Sequence, residues 1–196
     1  MRDQAASIQL YPDMGAVAAR SRIAENFGVR TEEVAVGAGS VEVASQLISA
    51  SAGDGEEVIF AWRSFEAYPI LVQIAGATPI AVPLTADDRH DLDAMAAAIN
   101  DLTRLILVCN PNNPTGAGVT TAELDAFMAK VPSDVLVVVD EAYVHFNNDP
   151  ESASGLDFFN RYDNVAVLHT FSKAYGLAGL RIGYAVAHEQ VAENLR

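Results

Sequence analysis

Short apolar runs that alternate with longer amphipathic segments constrain the fold of this chain more than any other feature of its sequence. Each run is rich in β-branched residues, apolar on both faces and short enough to be a strand. The predicted strands are VAVG (34–37), EVIF (57–60), TPIAVP (78–83), RLILVC (104–109), VLVVVD (135–140), VAVLHT (165–170) and RIGYAV (181–186). The predicted helices cover 16–27, 41–51, 65–75, 91–100, 121–130 and a segment that begins near 188. The stretch TTAE, from Thr120 to Glu123, is a capping box and predicts a helix start.

Strands that are apolar on both faces have to be buried on both faces. When helices separate such strands along the chain, they cover the two faces of a mostly parallel sheet. The pattern therefore predicts an α/β fold of three αβα layers with a mostly parallel seven-stranded sheet. A length of 196 residues is enough for one substantial core, and we expect residues 1–196 to form a single domain.

Charge and composition argue against several classes of protein. The net charge of −14 disfavours binding to nucleic acids or to anionic membrane surfaces, because both need clustered Lys and Arg. No apolar run approaches the ~20 residues of a membrane span. The single cysteine, Cys109, excludes an internal disulfide framework and is typical of a reducing compartment. We therefore expect a cytoplasmic protein.

Polar residues follow several of the predicted strands directly. VAVG is followed by AGSVE, RLILVC by NPNNPTG, VLVVV by DEAY and VAVLHT by FSK. Ligands of parallel sheets bind beyond the carboxyl ends of the strands. We therefore expect the side chains after these strands to form one site. They are Ser40, Asn110, Asn113, Asp140, Tyr143, Ser172 and Lys173.

The GAGSVE stretch (37–42) is suited to binding a phosphate. Its glycines allow close approach of the backbone, and the helix that follows offers free amides and the positive end of its dipole. The dinucleotide pattern GxGxxG is not met, because Glu42 occupies the position of the third glycine. A plain strand–turn–helix connection is the alternative. Ser172 and Arg181 are two further groups able to bind a phosphate.

Asp140 and Lys173 carry the chemistry that this sequence suggests. A carboxylate at the end of a buried strand needs a cationic partner such as a protonated ring nitrogen, unless it only caps a helix. Lysine in a desolvated setting becomes a nucleophilic amine that forms a Schiff base with an aldehyde, whereas a solvated loop lysine does not. Asn113, held between prolines, and Tyr143 could donate hydrogen bonds to the same ligand. An aldehyde, a phosphate, a ring nitrogen and a phenolic oxygen together describe pyridoxal 5′-phosphate.

The motifs NPNNPTG, DEAY and SKAYGLAGLRIGY resemble those of the class I/II aminotransferases of fold type I, which depend on pyridoxal phosphate. The resemblance covers essentially all 196 residues and is greatest to the histidinol-phosphate and aromatic (phenylalanine) aminotransferases. It implies that Lys173 holds the cofactor and moves the proton, and that Asp140 keeps the pyridine nitrogen protonated. It further implies that Asn113 and Tyr143 bind the phenolic oxygen. The phosphate ligands that it implies are Ser40, the amide of Val41, Ser172 and Arg181.

Two aromatic residues also match positions of that family. Phe65, in WRSFEAYP, matches the aromatic residue that stacks on the cofactor ring. Tyr11, in LYPDMG, matches a tyrosine that reaches the phosphate of the partner subunit, which implies a homodimer. Val41 replaces the acid common in the family, so that only its amide is available. No metal ligand is implied.

The resemblance also implies parts of the enzyme that these residues do not include. Family members have an N-terminal arm and a C-terminal small domain, and the small domain holds the arginine that binds the substrate carboxylate. We therefore expect residues 1–196 to be the large cofactor-binding domain of a longer enzyme.

Several functions fit these residues. The expected reaction moves an amino group between an amino acid, aromatic by the likeness of WRSFEAYP, and a 2-oxo acid. Histidinol-phosphate transamination is one alternative, and lyase chemistry on the same cofactor is another. A pyridoxal phosphate-binding regulatory module without turnover, or a fragment without activity, also fits.

Overall fold

A single seven-stranded sheet forms the centre of the structure, a computed structural model that describes residue 6 and residues 9–195. The strands are β1 (Val34–Gly37), β2 (Glu57–Trp62), β3 (Thr78–Pro83), β4 (Thr103–Cys109), β5 (Leu136–Asp140), β6 (Val165–Thr170) and β7 (Gly183–Ala187). Their order across the sheet is β1-β7-β6-β5-β4-β2-β3. All seven predicted strands are therefore present.

The direction of the strands places four strand ends at one edge. Strands β3, β2, β4, β5 and β6 pair in parallel, whereas β7 is antiparallel to both β6 and β1. Because two reversals cancel, β1 runs in the same direction as β6. The carboxyl ends of β1, β4, β5 and β6 and the first residue of β7 consequently lie at the same edge. The expected mostly parallel sheet is confirmed.

Helices cover both faces of the sheet. They are α1 (Val17–Phe27), α2 (Ser40–Ser51), α3 (Tyr68–Ile74), α4 (Leu92–Ala97), α5 (Thr121–Met128), α6 (Gly155–Phe159) and α7 (Glu189–Glu193). Apolar side chains of α1, α4, α5 and α6 pack on one face, and those of α2, α3 and α7 pack on the other. Single 3-10 turns occur at Thr31–Glu33, Val144–Phe146 and Ala178–Leu180. The three-layer αβα architecture is thereby confirmed.

Two apolar cores hold these layers together. One face of the sheet contributes Ile106, Val108 and Val137, and the opposite face contributes Leu105 and Leu107, all fully buried. Burying one such side chain stabilises the fold by roughly 1.5–3 kcal/mol. Since successive residues of β4 serve opposite cores, the strand has to be apolar throughout, which is the pattern seen in its sequence.

The helix boundaries differ from the predicted ones where local backbone chemistry intervenes. Helix α3 begins at Tyr68 rather than at residue 65, and Pro69 lies in its first turn, where a missing amide costs nothing. Helix α5 begins as expected, because the Thr120 hydroxyl accepts a hydrogen bond of 3.2 Å from the Glu123 amide. None of the described helices combines the length and apolar character that crossing a bilayer requires.

Candidate active site

The strand ends surround one cavity of ≈ 190 Å³ at the edge where they meet. Nine of the eleven residues predicted for the site line it: Ser40, Val41, Phe65, Asn113, Asp140, Tyr143, Ser172, Lys173 and Arg181. They come from the ends of β1, β4, β5 and β6, from the segment after β2 and from the turn before β7. The parallel sheet therefore brings together residues that are up to 141 positions apart in the chain, from Ser40 to Arg181.

Asp140 lines the cavity and is buried. Its Oδ2 accepts a hydrogen bond of 2.7 Å from the Tyr68 hydroxyl, and its Oδ1 accepts one of 3.1 Å from the Ala142 amide. Burial raises the pKa of Asp140, while both hydrogen bonds lower it. A cation next to this carboxyl would favour its ionised form. Asp140 is thus a buried acid suited to pairing with a protonated ring nitrogen.

Asn113 is presented by a loop that other side chains of the NPNNPTG motif hold in place. The side-chain amide of Asn113 makes no hydrogen bond to the described part of the chain, and it faces the cavity. The bonds before Pro111 and Pro114 are cis. The expectation for Asn110 was wrong. Its amide donates to the Ala153 carbonyl at 3.0 Å and its Oδ1 accepts from the Val119 amide at 2.8 Å. Asn110 is therefore a structural residue behind the site.

An anion cradle forms where the start of α2 meets Arg181. The Arg181 guanidinium donates to the Ser172 hydroxyl at 3.3 Å and to the carbonyl oxygens of Ala178 and Ala38. Gly39, with a φ of 88°, faces Arg181 so closely that a Cβ at this position would overlap the guanidinium. The amides of the first turn of α2 have no partner within the helix. Ser40, Val41, Ser172 and Arg181 line the same cavity, and a free helix amide and a guanidinium are groups able to bind an anion.

Lys173 lines the cavity and is exposed. Its Nζ is 5.0 Å from the centroid of the Tyr143 ring. The desolvated setting predicted from the sequence was wrong for the described residues, because Lys173 is exposed. It follows the last residue of β6 by three positions, in an irregular segment that leaves the sheet. Phe65, half-buried, lines the same cavity and makes edge contact with Tyr68 at 5.6 Å between centroids.

Five residues of the site were not predicted from the sequence. Tyr68 holds Asp140, and Cys109, Ala142, Thr170 and Ala178 line the cavity. Burial and the neighbouring Asp140 raise the pKa of the Cys109 thiol to about 12, so it is not a nucleophile at neutral pH. The signal available for Thr170 was its position at the end of a buried strand. Tyr68 gave no signal, because its partner lies 72 residues away in the chain.

Tyr11 does not line the cavity and is 99% exposed. Its expected contact would be made with a partner subunit, so its role stays a prediction.

The residues of the site fit pyridoxal phosphate. The anion cradle has no room for a side chain at Gly39 but leaves backbone amides free. The buried Asp140 lacks a hydrogen-bonded cation, and the side-chain amide of Asn113 has no hydrogen-bond partner among the described residues. Fold and site together define an αβα protein with a pocket for a phosphorylated ring whose nitrogen is basic.

The chain belongs to the aminotransferase class I and II family, whose model matches residues 2–196. An aromatic amino acid aminotransferase of Streptomyces avermitilis is 60% identical to it over 190 residues, which is 97% of this chain and 53% of that enzyme. One of Rhodococcus opacus is 58% identical over 98% of this chain and 53% of its own length. The chain thus spans about half the length of these relatives.

Solved structures have the same fold. Histidinol-phosphate aminotransferase of Sinorhizobium meliloti, in complex with pyridoxal 5′-phosphate, superposes with a TM-score of 0.90 at 28% identity. The match covers 98% of this chain and 52% of that one. A mutant aspartate aminotransferase of Thermus thermophilus superposes with a TM-score of 0.89 at 27% identity. The match covers 99% of this chain and 56% of that enzyme's chain.

Proposed function

We propose that this protein is a pyridoxal phosphate-dependent aminotransferase that moves an amino group between an aromatic amino acid and a 2-oxo acid. The observation that carries the proposal is that Lys173 and Arg181, from the connection between β6 and β7, line one cavity with Asp140 at the end of β5. An amine, a buried acid and an anion cradle are the groups that this cofactor requires. When bound, pyridoxal phosphate supplies an electron sink for the negative charge that develops at the substrate α-carbon.

Each side chain of the cavity has one task in this proposal. Arg181, Ser172, Ser40 and the Val41 amide would hold the phosphate, and Phe65 would cover one face of the ring. Asp140, Asn113 and Tyr143 would orient the ring within its plane. Asp140, held by Tyr68, would keep the ring nitrogen protonated, and Asn113 and Tyr143 would donate hydrogen bonds to the phenolic oxygen.

Lys173 is the residue that would move protons. Its Nζ is an amine of an exposed residue that lines the cavity, 5.0 Å from the centroid of the Tyr143 ring. As a free amine it can accept the proton of the substrate α-carbon and return it at another position. Its place on an irregular segment after β6 gives the side chain room for this movement.

The aromatic substrate class is supported by the names of the relatives, of which two are 58% and 60% identical to this chain. A second candidate, histidinol phosphate, is favoured by the similarity to the Sinorhizobium meliloti enzyme, although at only 28% identity.

Three further expectations belong to the same proposal. Residues 1–196 would form the large, cofactor-binding domain of the enzyme, since one sheet carries the whole described cavity. A homodimer is supported by Tyr11, whose side chain is exposed and available to a partner subunit. A cytoplasmic location is supported by the single, buried cysteine.

A half-reaction screen of the full-length protein tests this function. Phenylalanine, tyrosine, histidinol phosphate and aspartate are each added to the cofactor-loaded protein, and the loss of the visible absorbance band is followed. We expect the two aromatic amino acids to react fastest. A response to histidinol phosphate alone would select the second candidate, and no response to any amino donor would refute a transaminase.

Replacing Lys173 by Ala tests the proton-moving role in the same protein. We expect turnover to fall by at least about 10²–10⁴-fold. Lys130→Ala is the matched control, because Lys130 is the other lysine of this chain and pairs with Asp93 on the surface. Steady-state activity retained in Lys173→Ala would contradict the role.

A further inference from the structure

We propose that the Arg63 guanidinium binds the distal carboxylate of a dicarboxylic 2-oxo acid, and so selects the amino acceptor. The inference rests on the proposed aminotransferase function, because it assigns a specificity residue to the second half of that reaction. Four observations carry this inference. The charge of Arg63 is unpaired, and the residue lies beside the cofactor cavity. Its backbone is held by hydrogen bonds, and its planar guanidinium group suits a carboxylate.

The unpaired charge of Arg63 distinguishes it from most described arginines of this chain. The net charge is −14, and five described arginines pair with carboxylates. They are Arg22, Arg30, Arg89, Arg104 and Arg161. The Arg63 guanidinium makes neither an ion pair nor a hydrogen bond with any described residue. Its side chain is also exposed, so it is accessible from solution. The guanidinium lies over the Trp62 ring, whose centroid is 4.8 Å from Cζ. A free guanidinium among so many acids is available to an anion from solution.

The position of Arg63 links it to the cofactor cavity. A hollow of ≈ 310 Å³ is lined by Arg63, Ser64, Phe65, Glu66, Asn113 and Pro114. Phe65 and Asn113 line the cofactor cavity as well. The hollow therefore adjoins the place where the reacting end of a substrate would lie. A molecule with one end at the cofactor could extend its other end toward Arg63.

Asn112 fixes the backbone that carries Arg63. Its Nδ2 donates to the Arg63 carbonyl at 3.0 Å, and its Oδ1 accepts from the Ser64 hydroxyl at 2.8 Å. The same Oδ1 is 3.2 Å from Nε2 of His90, and because it can only accept, that nitrogen carries the proton. Asn112 is buried, and its contacts with Ser64 and His90 are shielded from water, whereas its bond to the Arg63 carbonyl is part-buried. The segment that presents Arg63 is consequently anchored to the loop that presents Asn113.

The chemistry of arginine identifies the ligand class. The planar guanidinium fork matches a carboxylate with two parallel hydrogen bonds, and stacking on an aromatic ring keeps the fork oriented. Glu66 lines the same hollow without pairing with Arg63, and its charge opposes any anion. A monocarboxylic oxo acid has no group for Arg63 once its α-carboxylate is placed near the cofactor. A dicarboxylic one does, so Arg63 discriminates between the two.

Binding to the cofactor-free, full-length protein gives the first test, by calorimetric titration with glutarate and with pentanoate. The two probes have the same length and differ in one carboxylate. We expect glutarate to bind more tightly than pentanoate. Arg63→Gln should weaken the affinity for glutarate by at least about tenfold. Glu66→Gln should tighten glutarate binding. Arg161→Gln is the matched control, because Arg161 also stacks on an aromatic ring, that of Phe158, but outside this hollow.

Kinetics of the cofactor-loaded protein give the second test. The KM for 2-oxoglutarate relative to that for pyruvate should rise by at least about tenfold in Arg63→Gln and stay at the wild-type value in Arg161→Gln. Wild-type protein that does not bind glutarate, or an Arg63→Gln variant that leaves both glutarate affinity and the KM ratio unchanged, would overturn the proposal. If glutarate binds through Arg63 but no amino group is exchanged, the aminotransferase function fails and the anion site stands.

Discussion

The Tyr68 hydroxyl donates a hydrogen bond of 2.7 Å to the Asp140 carboxyl, and both side chains are buried. Burial alone would favour the neutral acid, and this hydrogen bond opposes that effect. The same pair raises the pKa of Tyr68 well above its ordinary value, because burial and the neighbouring negative charge both disfavour a phenolate. Tyr68 therefore remains a donor at all physiological pH values and keeps Asp140 ready for a cation.

Replacing Tyr68 by Phe should move the acid limb of the pH profile. Loss of the donor raises the pKa of Asp140 further, and the ionised acid is the form that pairs with a protonated ring nitrogen. We expect the acid limb of kcat/KM of the full-length enzyme to shift to higher pH. Tyr162→Phe, at the stacked pair with Phe158 outside the cavity, is the control. Superimposable acid limbs in wild type and Tyr68→Phe would contradict the role of this bond.

The contribution of Asp140 to the stability of the cofactor-free protein should decrease as the pH rises. The native pKa of Asp140 lies above its unfolded value of about 3.9, so the native state binds the proton more tightly between these two values. This contribution to the free energy of unfolding is fully present at a pH below the unfolded pKa of Asp140. It is lost as the pH rises through the higher native pKa. Asp140→Asn should flatten that part of the profile, as measured by urea unfolding over a pH series. Parallel profiles for the two proteins would argue against a raised native pKa.

Gly39→Ala should damage the anion cradle. A methyl group there would overlap the Arg181 guanidinium, and the φ of 88° is unfavourable for any residue with a side chain. We expect a loss of stability of about 1–3 kcal/mol and weaker cofactor binding, measured by thermal unfolding and by absorbance titration. Gly53→Ala is the matched control, since nothing lies within 4 Å of a Cβ at that position. Equal cofactor affinity in both variants would show that the close approach to Arg181 is unimportant.

Asn112→Ala should destabilise the protein and loosen both Arg63 and Asn113. The substitution leaves the buried Ser64 hydroxyl and the part-buried Arg63 carbonyl without their partner. A cost of about 1–3 kcal/mol per unsatisfied buried group is expected, measured as the free energy of unfolding. Asn164→Ala, which removes hydrogen bonds to Pro132 and Val135 at the opposite end of β5, is the control for cofactor affinity. Cofactor affinity that falls no further in Asn112→Ala than in this control would refute a link to the site.

The edge of the sheet could be predicted from the sequence because the strands are apolar on both faces. That pattern leaves only the residues after each strand free for polar chemistry, which identifies Asp140 after VLVVV and Ser172 and Lys173 after VAVLHT. What could not be predicted were contacts between distant segments. The hydrogen bond from Tyr68 to Asp140 depends on where α3 packs against the sheet, and no local pattern encodes this position.

Local irregularity explains the remaining differences. Strand β7 begins at Gly183 rather than at residue 181, because Arg181 adopts a left-handed conformation with a φ of 53° and aims its side chain at the cradle. Asn110 looked like a site residue because it follows β4 directly, yet its side chain binds the backbone behind the loop. Lys173 was expected in a desolvated setting from its apolar neighbours in sequence, but the segment leaves the sheet and exposes it. Sequence neighbours do not report solvent exposure in irregular segments.

The attachment point of the cofactor tests the central claim most directly. The full-length protein is loaded with pyridoxal phosphate, reduced with borohydride to fix the cofactor to the amine that holds it, digested, and analysed by mass spectrometry. We predict that the label is on Lys173 in the peptide that contains HTFSKAYG. A label found only on Lys130 or on another amine, or no label at all, would contradict this account of the site.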